Sequence, residues 1–166
     1  MKRILIIGSN GAGKSTFSYK LSSKLQLPLV HIDKIYWSDN WKVTPKEQFE
    51  ALVLDEARKD QWIIEGNNIR SLPQRLKYAD TVFWFEFSPL MCIWNVFKRE
   101  IKYFKKVRPD VPNGCVSKLS FHFLKDVWNF NQKNHDRIVE MLDDCEGIDV
   151  VRFRNHKEVE KYLNKL

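Results

Sequence analysis

Cysteine is scarce in this chain: its 166 residues hold three, Cys92, Cys115 and Cys145, widely spaced and without a Cys-x-x-Cys pair. That pattern excludes a disulfide framework and a zinc site built on paired cysteines, and the three are read as reduced thiols. No apolar run approaches the roughly 20 residues of a membrane span. Met1-Lys2-Arg3 leads directly into a short apolar strand rather than the longer core of a signal peptide, so a cytoplasmic protein with no membrane association is expected. Internal repeats, low-complexity segments and linkers are absent, as are zinc-finger and RNA-binding consensus patterns.

What is present suits a globular domain. Hydrophobic residues make up 43% and aromatics 13% of the chain, which argues against disorder. The length fits one domain over residues 1–166, a sheet covered by helices on both faces. A formal net charge of +7 favours anionic ligands, either nucleotides or nucleic acid.

The most informative stretch is Gly8-Ser9-Asn10-Gly11-Ala12-Gly13-Lys14-Ser15-Thr16, which matches the phosphate-binding loop pattern of Gly, four residues, then Gly-Lys-Ser/Thr. Ile4-Leu5-Ile6-Ile7 before it reads as a buried strand, and Phe17, Leu21 and Leu25 after it recur at helical spacing. Strand, Gly-rich loop and helix is the context this motif requires. Loop amides would turn inward around a triphosphate, and the helix N-terminus would point its free N–H groups at the same anion. Lys14 would reach the β- and γ-phosphates, Ser15 would ligate Mg²⁺, and Thr16 would bond an α-phosphate oxygen. ATP and Mg²⁺ are the expected donor and cofactor.

Further along, Leu29 to Ile32 reads as a second strand ending in Asp33, followed by an irregular aromatic connection with a turn at Ser38-Asp39-Asn40. Thr44-Pro45-Lys46-Glu47 has the form of a capping box, predicting a helix with Phe49, Leu52, Val53 and Ala57 inward. Trp62-Ile63-Ile64 is a third strand ending in Glu65-Gly66, and Thr81 to Phe87 a fourth. Ser88-Pro89 then starts a helix with Leu90, Ile93, Trp94, Phe97, Ile101 and Phe104 along one stripe and Lys98, Lys102 and Lys105 on a different side, turned away from the apolar one. Pro and Gly between Lys105 and Cys115 mark a loop, read as part of a lid spanning about 99–118. A helix from Phe121 to about Leu142, broken near Asn131 to Asn134, a fifth strand over 148–153 and a last helix capped by Asn155 complete the chain. Five apolar strands alternating with helices predict an α/β, three-layer P-loop NTPase fold with a five-stranded, mostly parallel sheet and a helical/loop lid. Ligands of such sheets bind at the C-terminal strand ends, here Gly8, Asp33, Glu65, Glu86 to Ser88 and Arg154.

Asp33 and Glu65-Gly66 at successive strand ends, behind an N-terminal phosphate loop, resemble the adenylate kinase-like P-loop phosphotransferases. More closely, the chain resembles the bacterial group labelled DNA topology modulation protein, FlaR-related. That likeness is carried by Arg3-Ile4-Leu5-Ile6-Ile7-Gly8-Ser9, Leu27-Pro28-Leu29-Val30-His31-Ile32-Asp33, Trp62-Ile63-Ile64-Glu65-Gly66-Asn67, Arg75 before Ala79-Asp80-Thr81-Val82, Arg108-Pro109-Asp110 and Gly114-Cys115. The kinase resemblance implies that Glu65 helps hold Mg²⁺, that Asp33 positions or deprotonates the acceptor, and that Arg70 or Arg75 binds an acceptor phosphate. Glu65 stands where those kinases usually carry aspartate, and Tyr36-Trp37 stands where an acceptor-phosphate arginine would follow Asp33. Arg108 in the loop and Arg99 on the helix entering it are candidates to compensate charge on a transferring phosphoryl group.

Structural alternatives stand beside these roles: Asp33 as a turn residue paired with Lys34, Glu65 as a surface or capping glutamate, Glu86 as part of a turn, and His31 as a strand residue. Three functions stay open. One is an ATP-dependent phosphotransferase acting on a small acceptor such as a nucleoside or nucleotide. The second is a nucleotide-dependent DNA-associated protein, suggested by the basic run Lys98, Arg99, Lys102, Lys105, Lys106 and Arg108. The third is an ATP-binding switch or slow ATPase.

Overall fold

The computed structural model describes residues 1–116 and 119–166. β1 (Arg3–Gly8) runs through the Gly-rich loop into α1 (Lys14–Leu25). β2 (Leu29–His31) passes into α2 (Ile32–Tyr36), the short strands β3 (Trp37–Ser38) and β4 (Lys42–Val43), and α3 (Lys46–Ala57). β5 (Trp62–Glu65), α4 (Leu72–Leu76), β6 (Thr81–Phe85) and α5 (Pro89–Lys102) follow, then α6 (Phe121–Asp143), β7 (Asp149–Phe153) and α7 (His156–Leu163).

The main sheet has the order β2-β5-β1-β6-β7, and every neighbouring pair is parallel. β1 lies at its centre, so the loop that follows Gly8 emerges in the middle of the C-terminal edge. Two residues of period sort the core onto two faces. Ile4 and Ile6 join Phe17, Leu21, Phe83, Phe85 and Phe153 on one side, while Leu5 and Ile7 join Phe49, Val53, Ile64, Val82 and Trp84 on the other. Phe17 anchors α1: its ring sits edge-on to Phe83, Phe85 and Phe153 at centroid distances of 5.0, 5.4 and 5.6 Å. Such pairs contribute about 0.5–1.5 kcal/mol each beyond their buried area, enough to fix the helix that carries the phosphate loop.

Several sequence expectations need correction. Thr44 does not cap α3: Pro45 occupies the cap without a side-chain bond, and the Thr44 hydroxyl donates to the Ile35 carbonyl at 2.7 Å. Leu52 is exposed while Phe49, Val53 and Ala57 are buried. α6 is continuous, because the asparagines predicted to break it find partners: Asn131 Nδ2 donates to the Phe87 carbonyl and Asn134 Nδ2 to the Phe130 carbonyl. Most of the apolar stripe of α5 is exposed, Leu90 at 69% and Ile101 at 79%, while Ile93 packs partly against the core and the residues the helix buries are Cys92 and Val96. α5 lies against the phosphate loop, where Asn95 Nδ2 donates to the Gly11 carbonyl at 2.9 Å.

Candidate active site

Gly13 precedes α1 with no side-chain cap, which leaves the first amides of the helix available to an anion. The Lys14 ammonium donates to the Ser9 carbonyl at 3.1 Å and lies 3.8 Å from Glu65 Oε1. β5 delivers Glu65 to the strand end beside β1, through the register Ile6↔Glu65. The neighbouring strand brings His31 alongside, through His31↔Glu65. Glu65 is buried, and its Oε2 lies 2.8 Å from His31 Nδ1 and 3.3 Å from the Ser15 hydroxyl. Asp110 Oδ2 approaches the same hydroxyl to 3.4 Å. Ser15 has one proton and two carboxylate neighbours, so hard oxygen donors converge on the hydroxyl that follows Lys14.

A cavity of about 620 Å³ opens over this cluster. Its lining includes Asp33, Glu65, Asp110, Arg99, Arg108 and Tyr19, together with the phosphate loop. Burial pushes the Asp33 carboxyl above its ordinary value of 3.8; Glu65 adds to the rise and Lys14 and Arg108 oppose it. A carboxyl so placed is a better proton acceptor than a solvated one. Burial, reinforced by Arg108, pulls Arg99 below the usual guanidinium range. Arg108 itself is buried and pairs with Asp110 through Nη1–Oδ2 at 3.4 Å.

The loop that carries Arg108 and Asp110 is clasped to the ribbon that follows Asp33. β3 and β4 pair antiparallel, Trp37↔Val43 and Ser38↔Lys42. At their turn the Trp41 indole donates to the Val116 carbonyl at 3.0 Å, and its backbone N–H reaches Cys115 Sγ at 3.3 Å. The Cys115 thiol in turn donates to the Ser38 carbonyl at 3.6 Å. Of the lid expected over 99–118, Ser117 and Lys118 lie outside the described residues.

The structure brings together Gly11, Gly13, Lys14, Ser15, Thr16, Asp33, Glu65, Arg99 and Arg108 around one cavity. Asn10 lines it too, while Gly8, Ser9 and Ala12 shape the loop beneath. Two expected site residues fall elsewhere. Arg75 is completely buried outside the cavity, donating to the carbonyls of Asn68, Gly66 and Ser71 at 2.7, 3.3 and 3.4 Å. Desolvation lowers its pKa to about 9, and it acts as a brace for the segment after β5. Arg70 is exposed and also outside the lining. Glu86 bonds His135 at 2.8 Å away from the cavity, which is the structural alternative. Four residues of the basic run, Lys98, Arg99, Lys102 and Arg108, line the cavity.

Sequence reasoning missed Asp110, Tyr19, Asn95 and His156 as lining residues, and His31 as the partner of Glu65. The spacing of Tyr19 from Ser15, four residues along α1, was the available signal for the first of these.

Sheet order, phosphate loop and cavity together define a P-loop kinase fold, and solved structures of that class align over nearly the whole chain. Shikimate kinase from Acinetobacter baumannii in complex with shikimate aligns with a TM-score of 0.58 at 15% identity, covering 99% of this chain and 92% of that one. Shikimate kinase from Bacteroides thetaiotaomicron aligns with a TM-score of 0.57 at 14% identity, covering 99% and 95%. Deoxyadenosine kinase from M. mycoides with bound dATP aligns with a TM-score of 0.53 at 14% identity, covering 99% and 98%. At such identities the likeness shows the fold. No family model matches the chain, and no curated protein matches it by sequence. The DNA-topology label of the sequence resemblance gains no support from these comparisons.

Proposed function

We propose that this chain is an ATP- and Mg²⁺-dependent phosphotransferase that moves the γ-phosphoryl group to a small hydroxylated acceptor. The observation that carries the reading is the convergence of Lys14, Ser15, Glu65, Asp33 and Arg108 on one cavity at the C-terminal edge of the sheet. The amides of the phosphate loop that have no partner within the protein, together with Lys14, hold the donor phosphates, with Thr16 on the α-phosphate side.

The donor set fits Mg²⁺: a hydroxyl flanked by two carboxylates at 3.3 and 3.4 Å offers only hard oxygens. Among the described residues no group of three or more His, Cys, Asp or Glu forms a metal centre by itself, which suits an ion shared with a triphosphate. Ser15 and Glu65 would hold it, and it would neutralise charge on the phosphates. His31 fixes the Glu65 carboxylate through its 2.8 Å contact.

Asp33 accepts the hydroxyl proton as the acceptor oxygen bonds to the γ-phosphorus. The bond from that phosphorus to the β,γ-bridging oxygen breaks, and its electron pair leaves on ADP. Arg108, with Arg99 beside it, compensates the charge that develops on the transferring group. Catalysis rests on positioning and electrostatics, without a covalent enzyme intermediate.

Labelled ATP and Mg²⁺ incubated with a panel of nucleosides, nucleotides and small polyols test the reading. A labelled product that disappears with Asp33→Ala is expected. ATP bound with no transfer to any acceptor refutes it.

A further inference from the structure

Five large apolar side chains stand in solvent along α5 and the turn that continues it: Leu90, Trp94, Phe97, Ile101 and Phe104. They lie four, three, four and three residues apart. That alternation is the two-per-heptad seam through which one helix receives another, narrower than the stripe a helix buries against a globular core. α5 meets the core through Cys92 and Val96, and the cavity through Asn95, Lys98, Arg99 and Lys102. The seam is a third face of the same helix.

Ile93, three residues after Leu90 and four before Phe97, joins the seam to α6. Together with Phe121, Leu124 and Trp128 it lines a groove of about 390 Å³ between the two helices. Trp94 is 61%, Phe97 39%, Phe104 70%, Phe121 85% and Trp128 50% exposed. At about 200 Å² per aromatic side chain, these five leave roughly 600 Å² open to solvent. That already reaches the upper end of the largest apolar patch on an ordinary monomer, before Leu90 and Ile101 are added.

We propose that this surface binds a second copy of the chain, α5 and α6 of one copy packing on α5 and α6 of the other about a two-fold axis. An exposed helical seam beside a groove on one face is self-complementary, as a two-fold contact requires. Two copies face to face remove about 1,200 Å² of aromatic surface alone, which enters the range of stable, specific interfaces. The proposal is independent of the phosphotransferase reading. Because α5 also lines the phosphate cavity, the second copy stands behind one wall of the active site.

The rim of the seam is basic: Lys98 Nζ lies 5.2 Å from the Trp94 ring centroid and Lys105 Nζ 5.4 Å from that of Phe104. Like rims meet across the axis, so self-association tightens when salt screens them. Anionic lipid or nucleic acid drawn to the same lysines is instead released by salt.

Sedimentation velocity of the full chain from about 1 to 100 µM, at about 50 and 500 mM salt, tests the proposal. The expected result is a dimer that grows with concentration and tightens with salt. Trp94→Glu and Ile101→Glu, each at an exposed position, should weaken it at least about thirtyfold and leave the melting temperature unchanged. Should one of them melt early, the other carries the comparison. Val43→Glu charges an exposed apolar residue away from the seam and should leave the association intact. A chain that stays monomeric at both salt concentrations overturns the proposal. So does a dimer that withstands both seam variants, or one that salt dissolves. Monomers that bind phosphatidylcholine–phosphatidylglycerol vesicles and lose them with Trp94→Glu overturn it as well, and assign the seam to lipid.

Discussion

Gly11 is where the phosphate loop meets α5, and replacing it with alanine tests that junction. Its φ is +82°, a region where a side chain costs about 1–2 kcal/mol. A Cβ there would also lie 2.2 Å from the Cys92 carbonyl oxygen and 2.9 Å from Val96 Cγ2. The first distance is on the order of 1 Å inside ordinary contact. Because it involves backbone, only a shift of α5 or of the loop relieves it. Overpacking of this kind adds about 1–3 kcal/mol, so Gly11→Ala should destabilise by about 2–5 kcal/mol. Gly147 supplies the control: its φ is +78°, and nothing lies within 4 Å of the Cβ position. Gly147→Ala should lose only the backbone contribution, about 1–2 kcal/mol. Urea unfolding of both variants, with and without ATP and Mg²⁺, reads the difference. The ligand-induced stabilisation should shrink for Gly11→Ala and stay intact for Gly147→Ala, since only the former displaces loop amides. Val96→Ala added to Gly11→Ala should rescue only part of the loss, because it leaves the carbonyl contact in place. Equal destabilisation by the two glycine replacements would refute the packing of α5 on the loop.

Two further outcomes follow from buried charge. The raised carboxyl of Asp33 places the acid limb of kcat/KM above the ordinary 3.8, and Asp33→Asn should cut turnover about 10²–10⁴-fold. The folded state holds that proton more tightly than the unfolded chain, so stability from this group is present below 3.8 and lost as pH rises through the raised value. Asp33→Asn should therefore raise Tm at pH 7 and leave it unchanged below pH 3.8, as thermal melts at both values would show. Arg75→Met should lower stability by about 2–4 kcal/mol, since hydrogen bonds from a charged donor are lost while the Asn68 carbonyl keeps the Ser71 hydroxyl. Its acceptor KM should not change; a raised KM with an unchanged urea midpoint would restore Arg75 to the acceptor site.

The parts of this molecule readable in its sequence are those fixed within a few residues. The phosphate loop needs only its own residues and the strand and helix that flank it. Ser88 caps α5 by accepting from the Met91 amide, and Asn155 caps α7 by accepting from the Glu158 amide, as local rules predict. α5 failed on orientation rather than existence. Its apolar residues repeat at helical spacing, and an inward stripe is the usual consequence. The helix instead turns Asn95, Lys98, Arg99 and Lys102 toward a cavity that needs positive charge, and leaves Trp94 and Ile101 in solvent. Nothing in α5 alone encodes that requirement, because it comes from a loop more than eighty residues earlier. Asp110 and Ser15 are 95 residues apart and His31 and Glu65 are 34 apart, beyond the reach of any spacing argument.

The turn between β3 and β4 shows the same limit from the side of strain. Asn-Trp is a poor match to the Asn-Gly signal of a tight hairpin, and the sequence predicts no strand pair there. Yet Asn40 and Trp41 both adopt positive φ, +60° and +62°, a conformation costly for a bulky side chain. The compensation lies in the Arg108 loop: Trp41 donates to Val116 and Cys115, and a Cβ on Gly114 would fall 2.5 Å from Asn40 Oδ1. Neither segment has a local reason for its shape, and each supplies the other's. The ribbon follows Asp33 and the loop carries Arg108 and Asp110, so two segments of the cavity lining, far apart in sequence, hold each other's shape.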